Sequence, residues 1–141
     1  MEDFVPFEIA KKLKEKGFTC KYPFAMYNEL GSYYPLTTSS DYVTSESGYK
    51  YRCYYDYNDF DENDFIAPTI SQVLKWLRDE KKIVFGISPM QEMDCDYLGW
   101  CTTVYKVDDD GYGLSWQEEL YYDTYELAAI AGIEYCLDNL I

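Results

Sequence analysis

The stretch from Gly99 to Leu120 reads as two strands turned back on each other, Gly99 to Val107 and Tyr112 to Leu120, around Asp108-Asp109-Asp110-Gly111. Asp and Gly tolerate the positive backbone angles that a tight hairpin turn requires, so an antiparallel pair is expected here. Such a pair must bury its apolar face, and the segments on either side supply helices to do so. Thr69-Ile70-Ser71-Gln72 fits a capping box, with Thr69 as the cap, Gln72 reaching back and Pro68 just before it. A helix is predicted from about Ile70 to Lys82, with Ile70, Val73, Leu74 and Leu77 as its buried stripe and Trp76 on the flank. Lys75, Arg78, Asp79 and Glu80 would face water.

Asp123 and Glu126 repeat the relation of a cap and its partner ahead of Leu127, Ile130, Ile133, Leu137, Leu140 and Ile141, which recur at spacings of three and four. The chain is therefore expected to close with an amphipathic helix. At the other end Pro6 suits a first helical turn, Phe7, Ile9, Ala10 and Leu13 follow, and Gly17 supplies a stop. Lys11, Lys12, Lys14 and Lys16 sit where cations interact favourably with a helix dipole.

Three further strands are predicted. Cys20 to Tyr27 is aromatic-rich, and Ile83 to Ser88 ends at Pro89. Tyr49, Tyr51, Cys53, Tyr55 and Tyr57 alternate with Lys50, Arg52, Tyr54 and Asp56 at the period of a strand. Asn28 to Gly48 shows no period and reads as a long loop or a loosely formed hairpin. The sum is one α+β domain over residues 1–141, an antiparallel sheet packed against two or three helices in the order α-β-β-α-β-β-β-α.

Histidine is absent while tyrosine occurs 17 times and the formal net charge is -14. The missing imidazole removes the usual general base and the commonest transition-metal ligand. The sequence holds no Gly-x-x-x-x-Gly-Lys-Ser/Thr and no Gly-x-Gly-x-x-Gly. Residues 1–21 carry five lysines against four acids, whereas residues 107–141 carry nine acids and no base, so the two ends are expected to attract each other. Asp138, in the last turn of the closing helix, opposes the helix dipole and looks to the lysines of the first helix for a partner. Phosphate neutralisation needs cations that this chain does not gather, so direct nucleic-acid binding is not expected. No apolar run approaches the length of a membrane span, and Met1-Glu2-Asp3 does not open a signal peptide, so a cytoplasmic protein without membrane contact is expected. Cys20, Cys53, Cys95, Cys101 and Cys136 form no Cys-x-x-Cys pair and read as free thiols; Asp94 and Asp96 would raise the pKa of Cys95 between them.

The acidic run from Asp56 to Asp64 is the nearest approach to a metal loop. Asp59, Asp61 and Asn63 match the first ligand positions of an EF-hand, but Asp64 stands where the turn needs glycine and Ile70 where a bidentate glutamate is required. A solvated acidic loop is the expectation, with no cofactor. Glu118 and Glu119, as strand neighbours, would point to opposite faces and share no site.

The run Ala67 to Arg78, together with Tyr125-Glu126 and the ending Gly132 to Ile141, resembles small uncharacterised proteins of gut bacteria and their phages or mobile elements. The resemblance covers about half the chain and implies a shared fold and a mobile-element setting, without an activity. The expected role is a non-catalytic accessory protein binding a host or self macromolecule, in particular a basic protein; homo-oligomers are compatible with it. The expected binding residues are Tyr49, Tyr51, Tyr55 and Tyr57 on the alternating strand and Asp108, Asp109 and Asp110 at the turn. The contrasting reading is a divalent-cation enzyme or small-ligand binder with a carboxylate-lined pocket.

Overall fold

Thr69 caps the central helix in the computed structural model of the chain, which describes residues 3–20, 23–35, 42–44, 50–52, 63–91, 97–117 and 121–141. Its hydroxyl accepts the Gln72 backbone N–H at 3.2 Å, and the Gln72 side-chain oxygen accepts the Thr69 N–H at 3.0 Å. The elements are α1 (Phe7–Glu15), β1 (Ala25–Tyr27), β2 (Tyr33–Pro35), β3 (Tyr42–Thr44), β4 (Lys50–Arg52), β5 (Phe65–Ile66), α2 (Ile70–Lys81), β6 (Ile83–Gln91), β7 (Tyr97–Asp108), β8 (Gly111–Gln117) and α3 (Tyr125–Asn139). The α+β class and the order of helical and strand blocks are those the sequence predicts, with the first strand block divided into short pieces. Strands pair antiparallel as β2-β1-β5, β3-β4 and β6-β7-β8.

The segment ahead of α1 is tied to the start of α2: the Ile70 N–H donates to the Asp3 carbonyl at 3.0 Å, and the Val5 N–H donates to the Pro68 carbonyl at 2.9 Å. One of the orphan donors at the start of α2 is thus satisfied from outside the helix. Ile70, Val73, Trp76 and Leu77 are buried on α2 while Leu74 is only half-buried. The indole belongs to the core rather than its flank because Phe18, just beyond α1, meets it edge-on at 5.3 Å. Lys82 closes the helix in the left-handed region, with φ 58. Its carbonyl accepts the Val107 N–H at 2.8 Å and its ammonium reaches the Asp79 carbonyl at 3.1 Å, so the turn into β6 is fixed from both sides.

The first predicted strand is shorter than expected. β1 begins at Ala25, and Asn28 turns the chain into β2 by accepting the Leu30 and Ser32 N–H groups on its side-chain oxygen, each at 2.9 Å. β4 pairs Tyr51 with Val43 of β3; residues 49 and 53–57 lie outside the described residues. β6 continues through Pro89 to Gln91 instead of ending at Ser88, which an edge strand permits because its outer side completes no ladder.

The β7–β8 hairpin closes through Asp109-Asp110 between the paired Asp108 and Gly111. The aspartates keep negative φ angles. Gly111 alone in this turn takes the positive value, φ 112, and the Asp108 carboxylate accepts the Asp110 N–H at 2.9 Å.

α3 departs most from expectation. Thr124, not Asp123, is its cap, accepting the Leu127 N–H at 3.1 Å. Its buried face is Ala128, Ala129, Gly132, Ile133, Cys136 and Leu137, while Leu127 is half exposed and Ile130, Leu140 and Ile141 are half-buried. The reason is the closeness of the helix to the sheet. A Cβ on Gly132 would stand 2.7 Å from both the Phe85 ring and the Thr102 methyl. Thr102, wholly buried, donates its hydroxyl to the Ala128 carbonyl. Only small residues fit along that line, and the large apolar side chains are displaced to the margins. Around it one cluster joins α1 (Ile9, Leu13), α2 (Val73, Leu77), the sheet (Ile83, Val104) and α3 (Ile133, Leu137).

Gly132→Ala is therefore expected to destabilise the fold despite the better helix propensity of alanine: overpacking costs about 1–3 kcal/mol against a propensity gain of about 1 kcal/mol. Thr102→Val should cost about 1 kcal/mol through the lost hydrogen bond. Urea denaturation of both variants checks this; an unchanged or raised midpoint for Gly132→Ala would mean the helix stands farther from the sheet.

Candidate partner-binding surface

Charge is arranged by α1 against α3. The Lys12 ammonium lies 3.2 Å from the Glu134 carboxylate and 3.0 Å from that of Asp138, the contact predicted from the segregation of charge between the two ends. Its pKa is raised, first by the hydrogen bond to Asp138 and then by that to Glu134. Lys16 donates to the Ile141 carbonyl at 2.8 Å, Lys14 to the Asp64 carbonyl at 2.9 Å, and Lys11 pairs with Glu8 at 2.9 Å. On α2, Asp79 is held by Lys75 at 2.7 Å and Arg78 at 3.2 Å, and these two bonds lower its pKa. Exposed pairs of this kind contribute little to stability. Their consequence lies in what remains facing outward, because the cations of α1 are directed at the chain's own acceptors.

Asp108, Asp109 and Asp110 are all exposed at the hairpin tip. They stand near Lys106, which is exposed, and near the Lys82 backbone that binds Val107. Of the predicted tyrosine row, Tyr51 lies on β4 with its backbone paired to β3. Tyr49, Tyr55 and Tyr57 lie outside the described residues, as do Asp59 and Asp61; Asn63 is within them, just ahead of β5. Among the described residues no three His, Cys, Asp or Glu side chains gather to hold a metal ion.

Two aromatic surfaces escaped the sequence reading. Near α1 the rings of Phe4, Tyr33, Tyr27, Phe7 and Phe65 form a chain of edge-on contacts with centroids 5.4 to 6.1 Å apart. Tyr27 donates its hydroxyl to the Val5 carbonyl at 2.7 Å. Lys11 and Lys14 stand over Phe7 and Phe65 at 4.9 and 4.7 Å. At the end of the sheet remote from the hairpin tip, Trp100 exchanges backbone hydrogen bonds of 2.7 and 2.9 Å with Tyr122, and its ring meets Tyr125 edge-on at 5.6 Å. Tyr125 is exposed by 39% beside it, while Met90, exposed by 36%, pairs with Gly99 and so projects from the opposite face of the sheet. Neither surface has a local signature, since each is assembled from segments distant in sequence.

An open cleft of about 320 Å³ lies between Cys20 and the outer face of α2, lined by Trp76, Lys75, Asp79 and Glu80. Among the described residues no helix is long and apolar enough to cross a membrane. Cys101 and Cys136 are buried and Cys20 half-buried; Cys53 and Cys95 lie outside the described residues. Burial pushes the Cys136 thiol up to about 12. No protein-family model matches the chain, and no curated protein or solved structure matches it either.

Three groups act together on the alkaline side. Cys136 is raised by burial from 9.0 to about 12, Tyr27 is raised from 10.0 chiefly by burial, and Lys12 is raised from 10.5 by its carboxylate partners. In each case the unfolded chain releases its proton at lower pH than the native one, so the contribution is complete below the unfolded pKa and lost as pH climbs through the folded one. Stability is expected to fall as pH rises from 9.0 toward about 12, with Cys136→Ala flattening the fall. Urea midpoints measured across that range test this, and an identical slope in the alanine variant would remove the thiol from the account.

Proposed function

We propose that this protein is a non-catalytic acidic accessory protein, of phage or mobile-element kind, that binds another macromolecule, with a basic protein as the partner its charge fits. The observation that carries the reading is the disposition of charge. In a chain of net charge -14, the lysines of α1 are engaged by Glu134, Asp138, Glu8 and backbone carbonyls, while Asp108, Asp109 and Asp110 stand exposed at the hairpin tip. A field of one sign steers partners of the other and accelerates their encounter. A phosphate backbone would meet the same field as repulsion, which favours a protein over a nucleic acid. The phage or mobile-element setting rests on the resemblance carried by Ala67 to Arg78 and Gly132 to Ile141. The cleft beside Trp76 lends little to a carboxylate-pocket reading, because Asp79 is already paired with Lys75 and Arg78.

Affinity capture from host lysate with the purified chain supplies the partner, and association kinetics then test the reading. The rate should fall as salt rises, since exposed charges are screened beyond about 8 Å at physiological ionic strength. Replacing Asp108, Asp109 and Asp110 by asparagine preserves the turn chemistry while removing three charges. That variant should associate about two- to tenfold more slowly at low salt and converge with the native chain at high salt, with dissociation little altered. An association rate indifferent to both salt and substitution would leave the tip as a solubilising feature only.

A further inference from the structure

We infer that the outer edge of β8, over residues 111–114, takes up an extended, lysine- or arginine-bearing segment of a protein partner as a further strand of the β6-β7-β8 sheet. The inference rests on the basic-partner reading and adds to it the place of contact and the conformation of the segment.

Among the described residues β8 pairs with β7 alone, so its other side carries no ladder. Unpaired strand edges recruit further strands, and proteins commonly guard them with charge, proline or a bulge. β8, Gly111–Gln117, has no charged residue and no proline. Its register with β7 shifts between Val104, paired with Trp116, and Tyr105, paired with Leu114. Ser115 is thus an extra residue, and the regular edge runs from Gly111 to Leu114. Across a two-residue hairpin loop Asp108 and Gly111 bond to each other, and alternation makes Lys106 and Gly113 the next bonded pair. The backbone N–H and C=O groups of Tyr112 and Leu114 therefore point away from β7. Gly113, between them, is exposed.

Charge selects both the edge and the occupant. The ladder sets Ile83 of β6 across from Lys106, and Lys106 across from Gly113. The two outer edges therefore begin at the same end of the sheet, two strand spacings or roughly 10 Å apart. Lys81 and Lys82 lead into β6, whereas Asp108, Asp109 and Asp110, all exposed, lead into β8. Lys106 offsets one of those three carboxylates. A cationic segment is drawn to the start of β8 and repelled from the start of β6, because their separation exceeds the screening length of about 8 Å. Main-chain hydrogen bonds supply the affinity of such a strand addition, and the aspartates supply its preference for a basic occupant.

The test uses the full chain and three synthetic peptides built on one strand of alternating valine and threonine. The first ends in lysines, the second in glutamates, and the third repeats the lysine peptide with its strand nitrogens methylated. Binding is titrated calorimetrically at low salt, and amide exchange of the chain is followed with and without peptide. The lysine peptide should slow exchange of the Tyr112 and Leu114 amides and bind about tenfold more tightly than its methylated twin, which cannot donate to the edge. The glutamate peptide should bind about tenfold more weakly, and asparagines at 108, 109 and 110 should narrow that gap. Leu114→Pro removes an outward donor without touching the ladder, so it should weaken the lysine peptide about two- to tenfold with its urea midpoint little changed. If that variant fails to fold, the methylated twin makes the same comparison on the native chain. Equal binding of the lysine peptide and its methylated twin, no binding of the lysine peptide, or slowed exchange in β6 in place of β8 would overturn the inference while leaving the basic-partner reading standing. Equal binding of the lysine and glutamate peptides would count against that reading, and against the inference with it.

Discussion

The close approach of α3 to the sheet at Gly132 sets the positions of the other layers. With Phe85 and Thr102 so near the helix backbone, no side chain can stand between them, and the buried Thr102 hydroxyl takes the Ala128 carbonyl as its partner. That contact fixes which face of α3 turns inward. Ile133 and Leu137 then reach the cluster shared with α1 and α2, and Tyr135 stacks on Trp116 of β8 with centroids 4.5 Å apart and planes 9° from parallel. A helix seated higher on larger residues would present a different face to all of these partners.

The same seating determines the electrostatics. With its apolar line on the sheet, α3 presents Glu134 and Asp138, one turn apart, to Lys12 of α1. The last turn of α3 has no basic residue of its own, and a cation near a helix C-terminus is favourable. The lysine-rich first helix is thus drawn onto the acidic, base-free closing one. The hairpin tip keeps its exposed carboxylates at Asp108, Asp109 and Asp110.

Much of the fold was legible wherever a local signal sufficed. The Thr69–Gln72 box, the Asp108–Gly111 turn and the stripe of α1 each depend on residues within a few positions of one another, and a hairpin and two helices follow from them. The Lys12–Asp138 contact was readable as well, because charge segregated to the two ends of a chain is a long-range signal visible in composition. The buried face of α3 was not. Hydrophobic spacing weights Leu127 and Ile130 above Ala128 and Gly132, and only the proximity of Phe85 and Thr102 reverses that order. Pro89 reads as a stop until β6 is known to be an edge strand. The aromatic surfaces were hidden for a related reason: Trp100 and Tyr122 become neighbours through a single bridge, and Phe4, Tyr33 and Phe65 come from three separate segments. No periodicity records such meetings.

Native-state hydrogen exchange tests most directly whether α3 and the sheet form one interlocked unit. Amides of Ile133, Cys136 and Leu137 on α3 and of Val104 on β7 lie in the buried cluster on either side of the contact. If the close approach governs the fold, they should exchange only through global unfolding, with the same free energy and the same denaturant dependence. Exchange of the α3 amides at distinctly lower free energy than that of Val104 would show a helix that opens independently of the sheet, and would contradict the account.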